Sequence, residues 1–90
     1  MTTRGWEADP SSPLLRRLGK TPAELGTTGG EQGCPDIWEL ENGDIAVVGR
    51  DLTPFYLNRL PPGLTVAPDE RIVVIPRRTA AAAKADIPDA

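Results

Sequence analysis

The stretch that decides the fold is Asp36-Ile-Trp-Glu-Leu-Glu-Asn-Gly-Asp-Ile-Ala-Val-Val-Gly49. Asn42–Gly43 stands between two runs of strand-forming residues. Asn-Gly is the leading two-residue hairpin turn, because both central positions need φ > 0. A turn there pairs Leu40 with Ile45, Glu39 with Ala46, Trp38 with Val47 and Ile37 with Val48. One face of the hairpin is then wholly apolar: Trp38, Leu40, Ile45 and Val47. The other, made of Ile37, Glu39, Ala46 and Val48, is mixed. A lone hairpin is not stable in water, so the apolar face calls for a cover.

Downstream, Thr53-Pro54-Phe55-Tyr56-Leu57-Asn58-Arg59-Leu60 reads as a helix with Thr53 as cap and Pro54 in its first turn, ended by Pro61-Pro62-Gly63. Arg71-Ile-Val-Val-Ile-Pro76 is a continuous apolar run of strand length, which predicts a strand buried on both faces. Thr79 to Lys84 is helical by propensity, with Thr79 as cap, and 86–90 reads as a tail. Upstream, Ser12-Pro13-Leu14-Leu15-Arg16-Arg17-Leu18-Gly19 reads as a short helix. Ser12 caps it, the leucines form a stripe, and Gly19 stops it. Thr21-Pro22-Ala23-Glu24 has the grammar of a capping box. Gly26 to Gly33 has the composition of a flexible linker. The fold expected is α+β: a small antiparallel or mixed sheet of about three strands, hairpin 36–49 plus strand 71–76, with short helices. The division expected is a flexible arm over 1–33, a core over 34–85 and a tail over 86–90.

Composition narrows the chemistry. Ninety residues make one domain at most. The formal net charge is -3 and there is no His, which removes His-based triads, metal sites and pH switches. One Cys cannot close an intramolecular disulfide or build a Cys-rich zinc site. The acidic excess sits in the middle third, where Arg50 and Arg59 face Glu31, Asp36, Glu39, Glu41, Asp44 and Asp51. That balance speaks against nucleic-acid binding, which favours a basic face. The sequence offers no membrane span and no secretory signal within Met1 to Pro10. A cytoplasmic protein in a reducing compartment is the expectation.

Short motifs resolve into structural readings. Gly19-Lys20-Thr21 has the ending of a phosphate loop, but Leu14 stands where the motif needs Gly. The stretch reads instead as a stop followed by a cap. Cys34 has acidic sequence neighbours, which would raise a thiol pKa, and reads as a small apolar residue at the sheet edge. Asp36, Glu39, Glu41 and Asp44 are four carboxylates in nine positions. Such groups run glycosidases or bind hard cations when they converge, yet strand periodicity separates Asp36 from Glu39 and Glu41. They read as a solvated hairpin tip, or as a docking patch for a basic partner. Arg77 and Arg78 make a small basic spot at a helix start, where their charge opposes the dipole.

Cys34 to Thr53, and Pro68-Asp-Glu-Arg-Ile-Val-Val-Ile-Pro-Arg-Arg-Thr79, resemble segments of small uncharacterised actinobacterial proteins of the streptomycete type. The resemblance covers about half of the chain, and no assigned activity travels with it. It implies an accessory role beside helix-turn-helix regulators.

A core of about fifty residues lies near the stability limit for a domain. The expectation is therefore a non-catalytic intracellular interaction protein without a cofactor, a regulatory accessory or antitoxin-like partner of a larger protein, or a homo-oligomer. The interaction residues expected are Trp38, Leu40 and Val47 on a shared sheet face, with Glu39, Glu41 and Asp44 toward a basic partner. The alternative is a precursor or substrate whose arm or tail a processing enzyme binds. An enzyme would need catalytic carboxylates converging in a pocket.

Overall fold

The structure, a computed structural model, describes residues 5–27 and 35–89. Cys34 and the glycine-rich stretch from residue 28 to 33 lie outside the described residues. The elements run β1 (Leu14–Arg17), α1 (Pro22–Leu25), β2 (Asp36–Leu40), β3 (Ile45–Val48), β4 (Arg50–Asp51) and α2 (Thr53–Tyr56). A 3-10 turn (Leu57–Arg59), β5 (Val73–Val74) and α3 (Arg77–Ala83) follow. The fold is α+β. Strands β1, β2 and β3 form a three-stranded antiparallel sheet with β2 in the centre, and β4 and β5 pair as a separate two-stranded one. No helix among the described residues is long and apolar enough to cross a membrane.

The hairpin forms where expected, with its register moved by one residue. Asp36 faces Val48, Ile37 faces Val47, Trp38 faces Ala46 and Glu39 faces Ile45. Leu40 N–H donates to the Asp44 carbonyl at 2.8 Å, and Gly43 N–H donates to the Leu40 carbonyl at 2.9 Å. Glu41, Asn42 and Gly43 therefore make a three-residue loop. Gly43, at φ 93°, takes the left-handed position that such loops require. The Asn42 side chain accepts from Asp44 N–H at 2.9 Å and fixes the turn. Because side chains alternate with period two, a slip of one residue changes which of them share a face. Ile37, Glu39, Ile45 and Val47 now lie together, and Trp38, Ala46 and Val48 lie on the opposite side.

The third strand of the main sheet is β1, not residues 71–76. Leu14–Arg17 is extended rather than helical, because pairing with β2 outweighs the propensity of so short a segment. Leu18 N–H donates to the Ile37 carbonyl at 2.8 Å. The extended chain turns Leu18 toward Ile37 and Ala83, and these three form the core cluster, at 2%, 6% and 0% exposure. Ile75 packs against them. Gly19 then turns the chain at φ 82°, where a Cβ would stand 2.8 Å from the Ala83 backbone nitrogen. Its N–H donates to Asp86 Oδ2 at 2.8 Å. Only glycine allows this close approach of the end of β1 to α3.

The run over 71–76 contributes two paired residues, and Val73 and Val74 are each 40% exposed, not buried on both faces. The place beside β2 is held by β1, so Ile75 alone of that run joins the core. The capping box is as read from the sequence: Thr21 Oγ1 accepts from Glu24 N–H, and Glu24 Oε1 accepts from Thr21 N–H, both at 3.1 Å. Those bonds hold the Glu24 carboxyl below its ordinary range. Thr53 lies one residue inside α2 and is buried. Its hydroxyl donates to Asp51 Oδ1 at 2.6 Å and accepts from Ile72 N–H at 2.7 Å, joining β4 to the segment before β5. Thr79 likewise lies inside α3, whose cap position is Pro76.

Candidate interaction surface

The hairpin has two faces and a free edge, and the six residues expected to act together are divided among them. Trp38 and Leu40 are half-buried. The Arg17 guanidinium stacks over the Trp38 ring at 4.8 Å, an arrangement that uses the ring quadrupole. The same guanidinium grips Asp36 through two parallel bonds of 2.9 Å and 3.0 Å. Burial disfavours the Asp36 charge. The Arg17 fork, the Trp38 indole and Ile37 N–H outweigh it and hold the carboxyl below its ordinary range. Trp38 is thus clamped within the protein's own sheet.

Val47 lies on the other face, beside Ile37 rather than Trp38. The wholly apolar face expected from the two-residue turn does not exist. A three-residue loop replaces it and moves Val47 and Ile45 toward Glu39. Glu39 is tied to Arg16 by a 2.7 Å ion pair, and Arg16 also donates to the Asp86 carbonyl at 3.2 Å. Asp44 Oδ2 accepts from the Trp6 indole at 3.3 Å. Glu41 stays exposed at the loop. Two shallow grooves border this region. One, of about 270 Å³, lies between Asp9, Ser12 and Glu41, and the other, of about 450 Å³, lies between Ile45, Ile87 and Pro88. Asp36 and Glu39 are each ion-paired with an arginine of β1.

What the sequence reading missed is β3 itself as an edge. The Leu40–Asp44 bond fixes the alternation of the ladder: Ala46 and Val48 turn their backbone groups toward β2, and Ile45 and Val47 turn theirs outward. No other described segment supplies a hydrogen bond to those outward groups. The side chains of Ile45, Val47 and Val48 are 41%, 41% and 53% exposed. The run Ile-Ala-Val-Val, with no charge and no proline, was the available signal. No family model, curated protein or solved structure matches the chain.

Proposed function

We propose that the protein is a non-catalytic intracellular interaction protein, a regulatory accessory or antitoxin-like partner of a larger protein, that works through its hairpin. The observation that carries this reading is the disproportion between core and surface. The core cluster holds only Leu18, Ile37 and Ala83, while Ile45, Val47 and Val48 stay exposed along one strand. Ile45 and Val47 project from one face of that strand and Val48 from the other. An unpaired strand offers main-chain bonds to an incoming chain, and side chains on its two faces supply specificity. Where the partner's rim is basic, Glu41 and the partly exposed Asp44 at the hairpin tip are placed to meet it.

The test is purification of the intact chain from its native host under mild crosslinking. The expected result is a defined complex whose crosslinks map to the hairpin, and which is lost in Val47→Glu while the circular dichroism spectrum is kept. Recovery of the chain without a defined partner, a second copy of itself included, or a complex indifferent to Val47→Glu, would contradict the reading.

A further inference from the structure

We infer that the free edge of β3 takes a second copy of this chain, antiparallel about a twofold axis through Ala46, to make a continuous six-stranded sheet. The inference rests on the reading of the hairpin as an interaction surface and names one occupant for it.

Backbone parity sets the pairing. Ile45 and Val47 are the residues whose N–H and C=O groups point outward. A second β3 centred on Ala46 places Ile45 opposite Val47 of the partner copy, and Val47 opposite Ile45. Every outward group of both strands then meets its complement, giving four new main-chain hydrogen bonds. Ala46 faces its own copy in the close, non-hydrogen-bonded position, where neighbouring Cα atoms approach to about 4.5 Å. A small side chain suits that crowded place. The pairs flanking it are β-branched against β-branched, which pack well across strands. Asp44 falls opposite Val48, so no like charges oppose one another. This register is self-complementary over the whole strand.

The opposite edge of the sheet argues for closure rather than growth. Strand β1 follows Pro13, carries a bulge at Leu15 and presents Arg16 and Arg17. Bulges, prolines and charges are what keep an edge from recruiting further strands. With one edge guarded and one open, an isologous pair satisfies the open edge and stops there. Four residues per strand make a small interface, at the low end of the size range for specific contacts. The pair is therefore reversible, with a dissociation constant of about 10–500 µM.

The experiment is sedimentation equilibrium of the full chain across that concentration range, beside Val47→Pro. Proline at 47 removes an outward N–H and no bond to β2. The expected result is a mass rising from 9.6 kDa to twice that value and no further, while Val47→Pro remains monomeric with its far-ultraviolet spectrum unchanged. If Val47→Pro does not fold, isotope-filtered NOEs in a mixture of labelled and unlabelled wild-type chains decide, and an interchain contact between the two Ala46 residues is expected. A monomer throughout overturns the inference and leaves the broader reading standing. So does an edge that becomes occupied only when a different chain is added. Mass growing past the dimer, a dimer that survives in folded Val47→Pro, or interchain contacts that map elsewhere overturn it as well.

Discussion

The two edges of the three-stranded sheet are built from opposite materials. Strand β1 is preceded by Pro13, bulges at Leu15, and points Arg16 and Arg17 at Glu39 and Asp36 of β2. Strand β3 is Ile-Ala-Val-Val, flat in register and without a charge or proline. Both are short and both flank the same central strand. The difference teaches that the edge strand here is fastened chiefly by side chains on one side and by main chain alone on the other. Both edges leave apolar side chains exposed, Leu14 and Leu15 at 61% and 56% on the first and Ile45 and Val47 at 41% on the second, but only the first carries a preceding proline, a bulge and charges.

The largest effect is expected where β1 meets α3. Gly19→Ala combines a positive φ with a Cβ 2.8 Å from backbone. It should cost about 3 kcal/mol or more, since strain and overpacking act together, and loosen the guarded edge. Chemical denaturation measures it, and an unchanged midpoint would show that β1 does not pass beneath α3.

Next comes the loop that sets β3. At Gly43 a Cβ would meet nothing within 4 Å, so only its φ of 93° resists substitution. Gly43→Val should cost about 2 kcal/mol, the penalty for a branched residue in left-handed backbone. Gly43→Asn should cost less, because Asn tolerates that conformation. Equal melting temperatures for the two variants would place the turn elsewhere.

A smaller effect, with a pH signature, belongs to the clamp on β1. Asp36→Asn breaks the fork with Arg17 and should cost about 1–2 kcal/mol, as for hydrogen bonds to charged groups. Asp36 has a lowered pKa in the folded chain. Its contribution is thus complete above the unfolded carboxylate pKa of about 3.9 and fades as pH falls through the lower folded value. Denaturation midpoints should drop below about pH 4 more steeply in the wild type than in Asp36→Asn. Parallel profiles would mean that the fork does not hold the edge. The smallest effect is expected from Trp6→Ala. Its indole reaches Asp44 by a single exposed bond of 3.3 Å, so the change should stay within about 0.5 kcal/mol.

The guarded edge was the less legible of the two in the sequence. Leu14, Leu15 and Leu18 fit a helical stripe as well as a strand, and four residues are too few for periodicity to choose. The distinguishing signal was Arg16-Arg17 set against Asp36 and Glu39, a charge match readable only once the strands are side by side. The hairpin was legible because Asn42-Gly43 marks a turn, yet Gly at 43 serves a two-residue and a three-residue loop alike. That ambiguity moved Val47 to the wrong face and made Trp38, in fact clamped by Arg17, look like an open contact. The capping box at Thr21 and Glu24 was read correctly because all its partners lie within one turn. What the sequence concealed depends on contacts between distant segments.

The central claim is that β3 presents a free edge. Residue-resolved amide hydrogen exchange at low micromolar concentration tests it most directly. The account predicts alternation along the strand, with Ala46 and Val48 protected by their bonds to β2 while Ile45 and Val47 exchange as open amides. Equal protection of all four amides in the dilute chain would contradict it, because the edge would then be covered from within the molecule.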